Sequence, residues 1–356
     1  MSALDALVRT SLGNFDLDVA LRVEAGMVVA VLGPNGAGKS TVLRVLAGLQ
    51  PLTAGHVRLG ERVLEAPATG HRVSAQHRGT GLVPQESMLF PHLTVLDQVA
   101  FGRRHQGLSR TAARAEAQEW LERTGLRNLA VRRPDQLSGG QARRVAITRA
   151  LATRPRMLLL DEPLTALDVR AVLELRTFLH RHLRDHSGVT VLVTHDALDA
   201  MVLADDLVVL DHGAVVQRGT PGDVARRPRS AHVAALVGLN LVRGNADGDR
   251  IRLDAGAGEV DLVATGSHRG AVFASFRPGA VSLHVAQPQV SARNVWPGSV
   301  TGLTPHGDMV RVEVAMPGGP TVLADVTPLA VADLELVPGT SVWVSLKATE
   351  VQVYDA

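Results

Sequence analysis

The chain has 356 residues, which is enough for about two domains with sizeable cores. Its formal net charge is only +2, so charge gives no reason to expect a nucleic-acid partner. The absence of cysteine excludes disulfides and thiolate chemistry, and no apolar run approaches the ~20 residues that a membrane-spanning helix needs. Because the first residues lack a basic region followed by an apolar core, we expect no signal peptide and a cytosolic protein that meets the membrane through a partner.

Apolar and polar residues alternate over residues 4–25, which predicts half-exposed antiparallel strands. Residues 27–32 then form a short apolar run that predicts a buried strand, and residues 41–47 have helical spacing and end at Gly48. Between them lies a phosphate loop that fits the pattern G-x-x-x-x-G-K-S/T at every fixed position. Its residues are Gly33, Pro34, Asn35, Gly36, Ala37, Gly38, Lys39, Ser40 and Thr41.

This loop is expected to bind phosphate groups. A strand, a glycine-rich turn and a helix N-terminus direct backbone N–H groups at one spot, and the helix dipole adds to the attraction for an anion. Lys39 and Lys347 are the only lysines of the chain, and a compact ammonium reaches between two phosphates better than a guanidinium does. Phe15 is the only aromatic residue before the loop, and it either stacks on an adenine ring or packs in the core.

The next segments predict further elements in chain order. Residues 55–64 predict a hairpin, and residues 81–83 predict a brief strand that ends close to Gln85. Thr94 is placed to cap a helix over residues 95–102. Residues 109–124 predict a polar, alanine-rich amphipathic helix.

A second anion site is predicted where a serine and two glycines open another helix. Its residues are Ser138, Gly139, Gly140 and Gln141. Downstream, the apolar run 157–160 predicts a strand covered on both faces, and Asp161 and Glu162 follow it directly. Two adjacent carboxylates at the end of such a strand are costly unless a cation or a reaction uses them.

The segment after these carboxylates completes the same edge of the sheet. Asp168 starts a helix, and a β-branched strand over residues 189–194 delivers His195 to the edge. Three histidines, His180, His182 and His186, lie close together along the helix. Because arginines and other polar residues surround them, we interpret them as a solvated helix face rather than a metal site.

The order of these motifs resembles that of the ATP-binding subunits of ABC transporters. The motifs are the phosphate loop, Gln85, residues 137–141, residues 158–162, Asp168 and His195. The resemblance covers roughly residues 1–235, and its LSGGQ motif at residues 137–141 is specific to that family. It implies an α/β P-loop NTPase fold with a helical subdomain, which we place at about residues 86–150, and it implies ATP and Mg²⁺ at the site.

The resemblance also implies roles for single residues. Lys39 and the loop amides would hold the phosphates, and Ser40 and Gln85 would coordinate Mg²⁺ with Asp161 in support. Glu162 would polarise the attacking water, and His195 would contact the γ-phosphate. In place of the family's usual adenine-stacking aromatic, this sequence offers Phe15 alone.

The family's site is shared between two subunits. Ser138, Gly139 and Gly140 would complete the site of the opposite subunit, and Asp168 would bridge the two sites, so a head-to-tail homodimer with two ATP molecules is implied. The resemblance further implies two copies of a transmembrane permease, an extracytoplasmic oxyanion-binding protein, and a location on the cytoplasmic face of the membrane.

A composition shift near Gly238 marks a second domain, so we predict an ATPase domain over residues 1–237 and an all-β, OB-like barrel domain over 238–356. Residues 291–354 resemble the molybdate-binding (TOBE/Mop-type) barrel of molybdenum transport and storage proteins. Hydroxyl, amide and cationic side chains there suit a tetrahedral oxyanion. They are Ser291, Arg293, Asn294, Ser345 and Lys347. A barrel that senses molybdate and one that only joins two subunits are both consistent with this sequence.

The main interpretation is an ATPase subunit that powers molybdate import, with residues 12–17 and 89–92 also similar to the ATPases of molybdate importers. Three alternatives stay open. The same ATPase could serve tungstate, sulfate or ferric iron. A soluble ABC ATPase acting on DNA or the ribosome would want coiled-coil insertions or tandem ATPase halves, which the sequence lacks. An oxyanion-binding regulator or storage protein would leave the ATPase motifs idle.

Overall fold

A computed structural model describes residues 3–254 and 260–356. The chain divides into an N-terminal unit, Met1–Val224, and a C-terminal unit, Ala225–Ala356. No helix in the part of the chain that the structure describes is long and apolar enough to cross a membrane.

The N-terminal unit is built on one mixed sheet of eleven strands. These strands are β1 (Leu4–Leu12), β2 (Phe15–Val23), β3 (Val28–Leu32), β4 (Ala54–Leu59), β5 (Arg62–Ala66), β6 (His71–Arg72), β7 (Thr80–Val83), β8 (Met157–Asp161), β9 (Val189–Val193), β10 (Asp206–Asp211) and β11 (Ala214–Gly219). Their order across the sheet is β6-β5-β4-β1-β2-β11-β10-β3-β9-β8-β7.

Helices lie between these strands along the chain and, in the case of α7, after the last of them. They are α1 (Lys39–Ala47), α2 (Val95–His105), α3 (Arg110–Arg123), α4 (Gly139–Ala152), α5 (Val169–Arg184), α6 (Ala197–Leu203) and α7 (Pro221–Arg226). Strands β3, β9, β8 and β7 run parallel to one another, so their carboxyl ends meet at one edge of the sheet. The five residues of β3 and of β9 are all buried, which explains their continuous apolar sequences.

The antiparallel strands predicted at the N-terminus are confirmed. Strands β1 and β2 pair from Leu4 opposite Val23 to Leu12 opposite Phe15. Every second residue of β2 from Leu17 to Val23 is buried, as the alternating sequence predicts. The predicted hairpin is also present, as β4 paired with β5.

The three helices α2, α3 and α4 form a separate apolar cluster in which Val99, Leu121 and Val145 are buried. Thr94 caps α2, since its hydroxyl accepts a hydrogen bond from the Asp97 N–H at 3.2 Å. The helix continues to His105, beyond the predicted end at residue 102. Gly102 lies inside the helix rather than at its end. Glycine at this position serves the packing, because a Cβ there would collide with the Thr153 side chain.

The interpretation of the α5 histidines as a solvated face is wrong for His182, whose exposed fraction is 6%. Leu175, Phe178 and Leu179 are buried on α5, and His182 follows them at the same helical spacing. The apolar stripe therefore carries the imidazole into the core.

The described residues of the C-terminal unit include two short helices, α8 (Ala231–Leu236) and α9 (Pro328–Asp333), and most of the others lie in strands. The strands are β12 (Asn240–Leu253), β13 (Asp261–Phe276), β14 (Ser282–His284), β15 (Asn294–His306), β16 (Met309–Ala315), β17 (Thr321–Val326), β18 (Ser341–Leu346) and β19 (Gln352–Asp355). They form a three-stranded sheet, β12-β13-β19, and a five-stranded sheet, β14-β18-β15-β16-β17.

One apolar core serves both of these sheets, and it includes Val272 of β13, Val314 of β16 and Val344 of β18. The unit begins upstream of the predicted boundary at residue 238. The difference comes from helix α8, which packs against β12 and buries Val233 and Ala234. The Leu239 N–H also donates to the Ala234 carbonyl at 2.8 Å, which joins α8 to the start of β12.

Candidate functional site

The phosphate loop joins β3 to α1 at the carboxyl edge of the sheet. Gly33, Gly36 and Gly38 have φ angles of 149°, 82° and 98°, which residues with a Cβ rarely adopt. A Cβ on Gly38 would also lie 3.1 Å from the Phe15 ring. Glycine at these positions therefore lets the loop adopt this curled backbone without strain.

Lys39 is the first residue of α1 and is 6% exposed. Its Nζ donates to the carbonyl oxygens of Gly33 at 2.8 Å and Pro34 at 2.9 Å. Burial lowers the pKa of Lys39, while the carboxylates of Glu162 and Asp161 act in the opposite direction. The ammonium is thus held inside the loop, beside two carboxylates.

Asp161 ends β8 and faces the start of α1. The Ser40 hydroxyl donates to Asp161 Oδ1 at 3.2 Å. Burial raises the pKa of Asp161, and the hydrogen bond from Ser40 offsets part of that effect. A hydroxyl and a carboxylate oxygen side by side form the hard-oxygen donor set that suits Mg²⁺.

The Glu162 carboxylate contacts the other two predicted catalytic residues, His195 and Gln85. Its Oε2 lies 3.3 Å from His195 Nδ1, 3.1 Å from the Thr165 hydroxyl and 3.5 Å from Gln85 Nε2. Its φ of 44° is uncommon for a residue with a side chain, and its N–H donates to the Val193 carbonyl at 2.9 Å. The ends of β7, β8 and β9 therefore converge on one carboxylate, at the sheet edge where the sequence analysis placed Glu162 and His195.

A pocket of about 250 Å³ opens over the phosphate loop. Its lining residues are Phe15, Asn35, Gly36, Gly38, Lys39, Ser40, Thr41 and Glu162. Phe15 contributes an aromatic wall beside the loop, although it lies in β2, 24 residues upstream of Lys39. The pocket combines an anion cradle with a surface on which a ring can stack.

The second predicted anion site has the expected local structure. Ser138 caps α4, and its hydroxyl accepts from the Gln141 N–H at 3.3 Å while Gln141 Oε1 accepts from the Ser138 N–H at 3.1 Å. Asp168 caps α5 by accepting from the Ala171 N–H at 2.9 Å. Cβ atoms on Gly139 and Gly140 would lie 3.5 Å from the Leu167 side chain and 3.1 Å from Ala171. Neither the Ser138 segment nor Asp168 lines the pocket over the phosphate loop.

Arg143 is a site residue that the sequence analysis missed. It lies on α4, is 6% exposed, and donates to the Pro84 carbonyl at 2.7 Å and to the Gln85 carbonyl. Burial lowers the pKa of Arg143, and the nearby Asp161 carboxylate counteracts this. The side chain therefore ties the helix behind the LSGGQ motif to the segment that carries Gln85. The sequence does not distinguish Arg143 from the other arginines of the same helix, Arg144 and Arg149.

Three of the five predicted oxyanion residues of the C-terminal unit already contact other residues of that unit. The Asn294 side chain is buried and makes both of its hydrogen bonds to the Val263 backbone, at 2.7 and 2.9 Å. Asn294 is therefore a structural residue rather than a free donor. Arg293 lies 3.4 Å from Asp249, and the Ser345 hydroxyl lies 2.9 Å from His284 Nε2. Ser291 and Lys347 are exposed.

Comparison with known proteins agrees with this geometry. Residues 17–165 match the ABC transporter family, and residues 290–353 match the TOBE domain. The chain is 43% identical to the molybdenum import ATP-binding protein ModC of Mycobacterium tuberculosis, over 98% of this chain and 97% of the relative.

More distant relatives are also similar to most of the chain. The chain is 40% identical to a sulfate/thiosulfate import ATP-binding protein of Burkholderia mallei, over 86% of both chains. It is 36% identical to a ferric-iron import ATP-binding protein of Brucella abortus, over 89% of both chains. The phosphate loop, the convergence on Glu162 and these full-length similarities together show that the chain belongs to the ATP-hydrolysing, ATP-binding subunits of ABC importers that carry a C-terminal TOBE domain.

Proposed function

We propose that this chain hydrolyses ATP to drive molybdate import through the cytoplasmic membrane. The observation that carries the cargo assignment is the 43% identity to a molybdenum import protein, which extends through both units of the chain. Sulfate and ferric-iron import are the alternative cargoes, and each is supported by a relative of lower identity.

The residues around the phosphate loop take distinct parts in this proposal. Lys39 and the loop N–H groups hold the phosphates of ATP, and Phe15 stacks on the adenine ring. Ser40, Asp161 and Gln85 would hold Mg²⁺, which would neutralise charge on the phosphate oxygens. Glu162 orients the attacking water and accepts its proton, and His195 steadies Glu162 and contacts the γ-phosphate.

A second copy of the chain completes each site in this proposal. Ser138, Gly139, Gly140 and Gln141 are not part of the pocket over the phosphate loop, so we infer that they close the pocket of a partner subunit, with Asp168 bridging the two sites. The homodimer would lie on the cytoplasmic face of the membrane, bound to two permease subunits. A separate extracytoplasmic protein would deliver the oxyanion.

For the C-terminal unit we favour a role in joining the two subunits over the sensing of molybdate. The support is that Arg293 and Asn294 are already engaged within the unit. A fall in ATP turnover at saturating molybdate would instead favour a regulatory oxyanion site that uses Ser291, Ser345 and Lys347.

Cellular uptake tests the proposal and its cargo. Cells that carry Lys39→Ala are expected to lose uptake of labelled molybdate while uptake of sulfate and ferric iron is kept. Arg44→Ala is the matched control, because Arg44 is an exposed cation on the same helix, and it should leave uptake unchanged. Loss of sulfate or iron uptake instead would reject molybdate as the cargo, and no loss of any would reject the importer role.

Arg143→Gln is expected to reduce kcat for ATP hydrolysis by ten- to a hundredfold with little change in the KM for ATP. The reason is that the Pro84 and Gln85 carbonyls lose their guanidinium donor, and misplacement of a catalytic segment by about 1 Å can cost ~100-fold. Steady-state kinetics measure the effect. Arg143→Lys should recover part of the rate, and Arg110→Gln, an exposed arginine of α3, should match wild type. A kcat for Arg143→Gln within twofold of wild type would refute the positioning role.

A further inference from the structure

A groove separates α5 from α3 and α4, away from the phosphate loop. It consists of two adjoining cavities of about 230 Å³ and about 640 Å³. Arg123 and His182 line both cavities, and Arg144 and Arg181 line the larger one. None of these four residues lines the pocket over the phosphate loop.

In this groove, the Nδ1 atom of His182 is a buried polar atom without a hydrogen bond. Its side chain is 6% exposed, and its Nδ1 has no hydrogen-bond partner. The ring is held in place by Phe178, with ring centroids 4.6 Å apart. A buried ring nitrogen without a hydrogen-bond partner lowers the stability of the fold. A ligand that forms a hydrogen bond to this nitrogen would remove that loss.

Three arginines surround this imidazole without a carboxylate of their own. Among the residues that the structure describes, Arg123, Arg144 and Arg181 make no ion pair. Arg123 lies over the Trp120 ring at 4.4 Å, and Arg144 lies over Phe178 at 5.4 Å. The Arg144 Nε is buried and unpartnered, while its Nη2 donates to the Thr124 carbonyl at 3.2 Å.

Two of the three carboxylates that line the groove are paired with other arginines. Glu122 pairs with Arg127 at 3.2 Å, and Glu174 pairs with Arg170 at 3.1 Å, both outside the groove lining. Asp185 is the third carboxylate. Burial is the main cause that lowers the pKa of His182, and the charges of all three arginines lower it further against the opposing effect of Asp185. The charges of the three guanidinium groups therefore all act on the His182 imidazole, which lies in the same groove.

We propose that this groove is a binding site for a doubly charged tetrahedral oxyanion, such as phosphate, sulfate or molybdate. Guanidinium forks match the paired oxygens of such an anion, and aromatic stacking pre-orients Arg123 and Arg144. The His182 Nδ1, carrying its proton, donates a further hydrogen bond to the anion. This site is separate from the ATP pocket, and it does not depend on which ion the importer carries.

Trp120 provides a direct readout because Arg123 lies against its ring. The other two tryptophans, Trp296 and Trp343, belong to the C-terminal unit, so the full chain with Trp296→Phe and Trp343→Phe reports on Trp120 alone. Nucleotide-free protein is titrated with sodium phosphate, sulfate or molybdate, against sodium chloride of equal ionic strength. We expect a saturable fluorescence change with at least one of the three divalent oxyanions and none with chloride.

Arg181→Gln in the same background is expected to raise the half-saturating concentration roughly tenfold or more, since a charged hydrogen bond is lost. Arg181 is exposed, so the variant should keep its thermal unfolding midpoint. Arg110→Gln is the matched control, because Arg110 is an exposed arginine of α3 outside the groove lining, and its titration should match that of the parent. Preference for phosphate would identify a phosphate ligand, and preference for molybdate or sulfate would identify the cargo class. A response equal to that of chloride, or unchanged affinity in Arg181→Gln, would overturn the proposal.

Discussion

Glu162→Gln is expected to reduce the kcat of ATP hydrolysis by about 10²–10⁴-fold, the usual contribution of a positioned general base. An amide cannot accept the proton of the attacking water, although it can keep the contacts that hold the Glu162 carboxylate in place. Those contacts come from His195, Thr165 and Gln85. ATP binding should persist, because the phosphate loop and Lys39 are unchanged.

Two assays separate these effects: steady-state release of phosphate, and equilibrium binding of a fluorescent ATP analogue. Glu61→Gln makes the same chemical change at an exposed residue in the β4–β5 turn, and should have wild-type kinetics. If Glu162→Gln kept more than a tenth of the wild-type kcat, Glu162 would not be the general base. If it lost ATP binding as well, its main role would be structural.

Arg78→Met is expected to lower the free energy of unfolding of the N-terminal unit by about 3–5 kcal/mol, the usual cost of leaving one buried ion-pair partner alone. Arg78 and Glu65 pair in the core with side-chain exposures of 0% and 3%. Arg78 also donates to the carbonyl oxygens of Val45 at 2.8 Å and Leu46 at 3.2 Å. The pair therefore supports the carboxyl end of α1, whose other end carries the phosphate loop.

Chemical denaturation followed by circular dichroism measures this loss. Arg9→Met is the control, because the Arg9–Asp18 pair is 50% and 59% exposed and such surface pairs contribute about 0–1 kcal/mol. Glu65→Gln should also be strongly destabilising, since it removes the charge that faces Arg78 and weakens a partner of the Leu52 N–H, 2.8 Å away. Equal stabilities for Arg78→Met and Arg9→Met would contradict the proposed role of the buried pair.

The ATP site was largely predictable because its signals are local. A phosphate loop needs glycines at positions set by backbone geometry, and Gly33, Gly36 and Gly38 do adopt positive φ angles. Buried parallel strands are continuous apolar runs, so their carboxyl ends, and hence Asp161, Glu162 and His195, could be placed at one edge.

The oxyanion residues of the C-terminal unit were harder to judge from sequence. A donor in the sequence does not reveal whether the fold already uses it, and the Asn294 amide is used by the backbone of Val263. The position at which the contacts divide the chain also depends on packing. Helix α8 has no sequence mark that assigns it to one unit, and its packing alone places it with β12.

The sequence by itself determined the fold class, the phosphate loop, the order of the catalytic motifs and the second, β-rich unit, because each depends on short-range periodicity or on glycine geometry. The tertiary structure alone decided which charged and polar side chains are buried. Arg78 meets Val45 across 33 residues, Arg143 meets Gln85 across 58, and His182 enters the core beside Phe178. Burial of such groups depends on partners that distant segments provide, and neither composition nor spacing along the chain records those partners.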